Sequence, residues 1–346
     1  MRSRLYVAAF VAALALTACS SSEGPRPPEP SDRAGARADG AELLYRGKGH
    51  TSAQNPAFSP DGGSVLFTLF AGGYNEGAAA LRVLSLRGGA QSRPGTLLDE
   101  TDRAAVNLPG SSWHPSAGVT FASDREGGRD EVWVMPPGGR PARVTEHGGD
   151  SGYLEPSFSP DGAWIVFQES RESGTEKEPA EPADGGSSLG SLWKVRRDGS
   201  GRTRLLDGPA TGTDNRQPNW SPKGDRLVFQ RRERGSHDWA LYVMNADGSG
   251  LRRLTGGAGE HTDPSWSPDG RQVVFSSTAG GLEVPQIFVV PVDGGRPVRV
   301  TRNDGSYDGA PSWSPDGRWI AFESHPGDED RPTALWRIPA PGTDGP

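Results

Sequence analysis

The chain has 346 residues, a formal net charge of −7, 23% charged and 33% hydrophobic residues, and a single cysteine. One cysteine excludes an internal disulfide framework, and an acidic balance without a basic patch interleaved with aromatics excludes the usual nucleic-acid-binding classes. No segment has a long 3.6-residue apolar period, so almost no helix is expected.

The N-terminus reads as an export signal. Arg2 and Arg4 precede an apolar stretch, Leu5 to Leu16, that is too short for a typical membrane span. It ends in Leu16-Thr17-Ala18-Cys19, which resembles a bacterial lipobox. Residues 1–18 are therefore expected to be a lipoprotein signal peptide, cleaved before Cys19, whose sulfur takes the lipid. The alternative is an ordinary signal peptide with an incidental cysteine. Ser20 follows rather than Asp, and the resemblance to lipoproteins of two-membrane bacteria then implies an outer-membrane anchor facing the periplasm. Residues 19–40 are rich in Ser, Pro, Glu, Arg and Gly and are expected to form a flexible tether. Removal of residues 1–18 deletes two arginines, leaving 35 basic against 44 acidic residues, a net charge of −9.

Beyond the tether the chain repeats. Ser-Pro-Asp-Gly stands at Ser59–Gly62, Ser159–Gly162, Ser267–Gly270 and Ser314–Gly317, with near-copies at Ser221–Gly224 and Trp113–Ser116. The prolines of these six copies are Pro60, Pro115, Pro160, Pro222, Pro268 and Pro315, at steps of 55, 45, 62, 46 and 47 residues. A base period of about 45 is the length of a four-stranded propeller blade. An aromatic stands two residues before each proline: Phe58, Trp113, Phe158, Trp220, Trp266 and Trp313. A phenylalanine follows six or seven residues after: Phe67, Phe121, Phe167, Phe229, Phe275 and Phe322. Each unit reads as four short strands, the first ending in the aromatic and turning through Pro-Asp-Gly, where Pro presets φ and Gly takes a left-handed conformation. The fourth strand carries Arg-Xaa-Thr or a similar pattern, as in Arg143-Val144-Thr145, Arg253-Leu254-Thr255 and Arg299-Val300-Thr301.

The last repeat runs only to Leu335–Ile338 and lacks a fourth strand, while an orphan strand, Leu43-Leu44-Tyr45, precedes the first. Tyr45 lies 15 residues before Pro60, as Val300 lies 15 before Pro315. The expectation is an all-β, six-bladed β-propeller over residues 41–340, closed by an N-terminal strand completing the last blade, with residues 341–346 as a tail.

Two insertions exceed the base period. One, around Glu172–Gly186, falls between the second and third strands of the third blade and is expected to be disordered alone. It reads as a partner-binding loop or a tolerated surface insertion. The other lies in the first blade, around Ala71–Ala80 and Gly88–Leu98.

Segments leading into the first strands should line one mouth of the central channel, and they differ between repeats. The candidate binding rim is Asn55, Asn107, Tyr153, Glu155, Arg216, Gln217, His261, Asp263, Tyr307 and Asp308. Such a rim suits an extended peptide, a sugar or a cation, or is a ring of solvated loops.

Catalytic patterns are weak. Gly186-Ser187-Ser188-Leu189-Gly190 has the spacing of a nucleophile elbow but sits at the end of a Gly- and Ser-rich insertion rather than on a strand-to-helix turn. Gly149-Asp150-Ser151-Gly152 is similar to a serine-protease site, without identifiable partners. Asp304, Ser306, Asp308 and Gly309 open like a calcium loop, yet the twelfth position is Pro315 rather than Glu. The six histidines never occur at close metal spacing, although His50, His147 and His261 hold related places before first strands. No catalytic residue, metal or cofactor is expected.

Pro264-Ser265-Trp266-Ser267-Pro268-Asp269-Gly270 and Pro311–Gly317 resemble the TolB-type propeller repeat, a WD-like Pro-Asp repeat, over about residues 41–340. TolB itself has an α/β domain before its propeller, and only a short linker stands there in this chain. Similar propellers accompany serine peptidase domains of the prolyl oligopeptidase type, but only 24 residues follow Phe322. The resemblance is specific for the fold rather than the function; with the lipobox, the tether and the polar rim it gives the expectation of a lipid-anchored, non-catalytic binding module of the bacterial envelope. It would recognise a protein or peptide through the channel mouth and interblade loops, as a monomer and without nucleic acid. The alternative is a carbohydrate-binding or lyase-like propeller with a metal at the rim. A third reading is an adaptor that binds through the insertion near Glu176.

Overall fold

Each repeat folds as one antiparallel sheet, because a β-rich run is turned back on itself by Pro-Asp-Gly and continues in period-2 strands. A computed structural model describes residues 36–87, 93–99, 104–105, 112–148, 151–170, 189–327 and 331–342. After β1 (Glu42–Arg46), blade 1 comprises β2 (Ser52–Phe58), β3 (Ser64–Phe70), β4 (Ala79–Ser85) and β5 (Gly95–Leu98). Blade 2 has a split first strand, β6 (Ala104–Ala105) and β7 (Trp113–His114), then β8 (Gly118–Ser123), β9 (Glu131–Met135) and β10 (Ala142–Arg143). Blade 3 is β11 (Gly152–Phe158), β12 (Trp164–Ser170), β13 (Ser191–Arg196) and β14 (Thr203–Leu206). A four-residue helix, the only one among the described residues, α1 (Gly208–Thr211), leads into blade 4: β15 (Thr213–Trp220), β16 (Arg226–Glu233), β17 (Ala240–Asn245) and β18 (Arg252–Arg253). Blade 5 is β19 (His261–Trp266), β20 (Gln272–Ser277), β21 (Gln286–Pro291) and β22 (Val298–Arg299). Blade 6 adds β23 (Ser306–Trp313), β24 (Trp319–Pro326) and β25 (Ala334–Pro339).

The sixth sheet runs β1-β25-β24-β23, so the N-terminal strand is the outer strand of the last blade. Leu43 pairs with Trp336 and Arg46 with Ala334. The ring is a six-bladed β-propeller closed by the strand that sequence assigned to this place. Arg37 locks the closure. Its guanidinium donates to both carboxylate oxygens of Asp308 at 2.8 Å and to Asp39 at 2.7 Å, and lies over the rings of Phe322 and Trp336.

The six marker phenylalanines are each 0% exposed. Burying each contributes about 1.5–3 kcal/mol, so the repeat pattern is first of all a packing pattern. The fourth-strand threonines act as staples. Thr145, Thr255 and Thr301 accept, through Oγ1, the N–H groups of Val132, Leu241 and Ile287 at 2.9 Å each.

The Pro-Asp-Gly turns are built alike. Ser59 Oγ donates to Asp61 Oδ1 and accepts Ser64 N–H, while Asp61 Oδ1 accepts Gly63 N–H. The same bonds recur at Ser159, Ser267 and Ser314. The serine hydroxyl, and then the backbone N–H, hold Asp61, Asp161 and Asp316 below the ordinary carboxylate value. In the near-copy, Lys223 replaces the aspartate and Asp225, two residues on, takes the serine bond. Blade 2 substitutes His114, whose Nδ1 accepts Ala117 N–H at 3.0 Å. The turn glycines have φ of 65 to 75°. A Cβ on Gly62, Gly224, Gly270 or Gly317 would meet the turn proline of the preceding blade, Pro315, Pro160, Pro222 or Pro268, at 3.3–3.7 Å. Those are ordinary contacts except at Gly270, at 3.3 Å, so the left-handed turn is what calls for glycine.

The insertion of the third blade lies between β12 and β13, outside the described residues. In the first blade, residues 71–78 form the β3–β4 loop. It is tied by Ala71 N–H to Ala78 O and Gly72 N–H to Glu76 O, both at 3.0 Å.

Candidate functional site at the channel mouth

The first strand of each blade faces the central channel, and in five blades it carries the same irregularity. Asn55, Glu155, Gln217, Asp263 and Ala310, each five residues before a marker proline, hold φ of 55, 55, 52, 54 and 46°. At each of them the register between first and second strands shifts. The corresponding place in blade 2 lies outside the described residues. A left-handed non-glycine residue costs about 1–2 kcal/mol, and bonds between blades compensate it. Gln217 N–H donates to Glu155 Oε2 at 2.8 Å and to Gln168 Oε1 at 3.1 Å. Asp263 N–H donates to Gln217 Oε1 at 2.9 Å and Gln230 Oε1 at 3.0 Å, and Gln217 Nε2 returns a bond to Asp263 Oδ1 at 2.6 Å. The Asp263 carboxylate in turn accepts Ala310 N–H.

Ala310 has no polar side chain to continue this belt. Glu323, one residue after Phe322, supplies the bond instead and accepts Asn55 N–H at 2.8 Å. Gln168 and Gln230 hold the same place after Phe167 and Phe229. Glu323 is 2% exposed. Burial pushes its carboxyl up to about 8 against the Asn55 bond, and the charge of Asp263 adds to the rise. Burial raises Asp263 as well.

Above the belt, blade 6 presents an aromatic wall. Tyr307 and His325, paired across β23 and β24, stack with ring centres 4.8 Å apart and planes at 19°. The β3–β4 loop of blade 1 sets Tyr74 against them from the neighbouring blade, 6.0 Å from Tyr307 and 5.4 Å from His325. The Tyr74 hydroxyl donates to that of Tyr307 at 3.4 Å, and its nearness to the Glu323 carboxyl works against the rise of that group. Burial raises both phenols well above their ordinary value.

The structure thus divides the rim residues named from sequence. Asn55, Glu155, Gln217 and Asp263 join in the belt, and Tyr307 stands beside it at the mouth. Arg216 turns outward onto Trp239 and pairs with Asp214, which Arg232 also contacts. Tyr153 is 2% exposed, packed between His147 and Phe167, with its hydroxyl accepting from Arg202. His261 is 1% exposed against Phe275, its Nδ1 3.0 Å from Ser277 Oγ, and burial lowers it to about 4. Asp308 is closed off by Arg37. Asn107 and Cys19 lie outside the described residues. Sequence reading passed over Tyr74, Glu323 and His325. Polar residues directly after the marker phenylalanines were the available signal for Glu323.

Ser151 does acquire partners. Its Oγ lies 3.0 Å from His147 Nε2 and donates to Glu169 Oε1 at 2.9 Å, and Nε2 is itself 3.1 Å from Glu169 Oε1. Serine and carboxylate therefore meet the same ring nitrogen. A nucleophilic relay needs them on opposite nitrogens, so that the acid orients the base while the base takes the serine proton. Burial would raise Glu169, but bonds from Trp193, Ser151 and His147 outweigh it and hold the carboxylate low. The cluster is a static hydrogen-bond knot. Among the described residues no three His, Cys, Asp or Glu side chains gather as a metal site.

At the opposite end, the six marker aromatics and five of the turn prolines line a cavity of about 250 Å³.

Comparison with known proteins agrees with this repeat. Residues 202–332 match the family model described as PD40, TolB beta propeller domain. The chain carries a TolB-like β-propeller. It is 30% identical over 136 residues to a TolB homologue of Chlorobium luteolum, a match over 38% of this chain and 27% of that protein. The chain therefore spans about a quarter of the curated relative's length. In fold, the TolB-like propeller is similar to TolB from Acinetobacter baumannii, with a TM-score of 0.53, 15% identity, and 84% of this chain and 64% of that one covered. It is equally similar to an oligogalacturonate lyase in complex with manganese, with a TM-score of 0.51, 17% identity, and 87% and 93% covered. At these identities the likeness concerns the fold, which is shared by proteins of different function.

Proposed function

We propose that the chain is a non-catalytic binding module of the bacterial envelope that takes a protein or peptide segment at the channel mouth. Lipid on Cys19 would hold it to the membrane, with the residues before the propeller as tether. One observation carries this reading. The turn end of the ring repeats one construction in most blades, whereas the mouth presents, between blades 6 and 1, a cluster of Tyr74, Tyr307, Glu323 and His325 that the described residues of the other blades do not repeat. Repeated positions serve the scaffold, and a departure confined to one mouth is where recognition chemistry belongs. The miswired Ser151, His147 and Glu169 knot supports a binding role over hydrolysis.

The test is affinity capture from envelope extracts. A variant carrying Glu76→Ala and Tyr307→Ala should lose a partner that the unaltered chain retains. A matched variant of the turn face, Lys223→Ala, Arg271→Ala and Arg318→Ala, should retain it. Loss by the turn-face variant alone would overturn the reading. Cys19→Ala should move the protein from the membrane to the soluble fraction if the anchor is as proposed.

A further inference from the structure

Most of the β3–β4 loop of blade 1 is in solvent. Ala71, Gly72, Glu76, Gly77 and Ala78 are exposed, and Asn75 and Gly73 sit at φ of 54 and 127°. An exposed loop with few apolar contacts opens at low free energy. Its one large side chain, Tyr74, is nevertheless inserted into another blade. The receiving slot does not depend on Tyr74 for its form. The stack of Tyr307 on His325 is made by paired strands, and Glu323 is fixed from behind by Asn55 N–H. The site thus has one aromatic wall, the Tyr307–His325 stack, with the hydroxyl of Tyr307 3.4 Å from the phenol hydroxyl and the buried carboxyl of Glu323 beside it.

We propose that this slot is a recognition site for the tyrosyl side chain of a partner segment, and that Tyr74 occupies it as an intramolecular stand-in. The inference rests on the mouth being the binding face and adds the chemistry it selects. The phenol hydroxyl is the discriminating group. A phenyl ring would fill the same place but lose the contact with the Tyr307 hydroxyl and leave the buried carboxyl with Asn55 N–H alone, and a site built to bond a hydroxyl rejects the analogue lacking it strongly. At neutral pH the raised carboxyl of Glu323 carries its proton, so a neutral phenol meets a neutral acid and no buried charge is created. The stand-in also sets the threshold for binding, since an incoming tyrosine must displace Tyr74 and its apparent affinity falls by the fraction of loops that are open.

The test uses the full chain and N-acetyl-tyrosinamide as probe, with N-acetyl-phenylalaninamide as its control, followed by NMR line shifts or calorimetry. The Tyr74→Ser protein should bind the tyrosine probe at least about tenfold more tightly than the unaltered chain and prefer it to the phenylalanine probe by at least about tenfold. Adding Tyr307→Ala should abolish binding. Equal affinity for the two probes, or no gain on removing Tyr74, would overturn the proposal. Should Tyr74→Ser fail to fold, Tyr74→Phe keeps the ring, weakens only the hydroxyl bond and should still raise affinity for the tyrosine probe. No change there would count against the site. These readouts use no envelope partner, so their failure leaves the capture experiment to judge the mouth itself.

Discussion

The two ends of the channel follow opposite rules. At the turn end the blades agree. In four blades a serine bonds the turn aspartate, in five a glycine turns left-handed, and in four of those the glycine lies against the preceding blade's proline. At the mouth they disagree. The belt passes from Glu155 to Gln217 to Asp263, halts at Ala310, and is completed from the second strand by Glu323. The break falls beside the slot filled by Tyr74. Agreement among repeats marks what every blade needs in order to pack, and the break marks where one sector has been released from that duty.

Substitutions at the two ends should separate stability from recognition. The largest effect is expected at the turn end. Trp266→Ala removes a ring that is 6% exposed and whose Nε1 donates to Asn219 O. It should cost about 3–5 kcal/mol in urea unfolding, while the surviving folded fraction retains the mouth. Gln217→Ala comes next. It takes two interblade bonds from Asp263 and should cost about 1–3 kcal/mol, read as faster amide exchange at Asp263. Wild-type exchange there would show that the belt carries no load.

The pH dependence sharpens the same contrast. The folded-state value of Glu323 is raised from 4.5 to about 8, so its contribution to stability is complete below pH 4.5 and is lost as pH rises through 8. The folded-state value of His261 is lowered from 6.5 to about 4, so its contribution is complete above pH 6.5 and is lost as pH falls through 4. Denaturation midpoints from pH 4 to 9 should therefore fall on both sides. Glu323→Gln should flatten the alkaline limb alone and His261→Gln the acid limb alone. An alkaline limb unchanged by Glu323→Gln would mean that this carboxyl is ionised in the folded protein. A smaller stability effect, about 1–2 kcal/mol, is expected for Tyr74→Ser, the closing free energy that a tenfold gain in binding implies.

The ring closure and the blade count could be read from the sequence because both follow from spacing, with Tyr45 and Val300 at equal distances from their prolines. The rim could be read only in part. Tyr153 stands two residues before Glu155, and strand alternation alone does not show that its ring turns into the packing between blades. The left-handed residue in mid-strand was also hidden. It leaves no motif beyond a polar residue five positions before proline, and Ala310 breaks even that. Tyr74 was the least legible. It lies in a noted insertion, but its partner Tyr307 is 233 residues away, and only closure of the ring brings the two together.

The most direct test of the central claim is site-specific photocrosslinking in envelopes. A photoreactive residue is placed at exposed Glu76 on the mouth loop or at exposed Lys223 on the turn face. The account predicts a discrete adduct from position 76, competed by added soluble propeller, and none from position 223. An adduct from position 223 alone would place recognition on the turn face and contradict it.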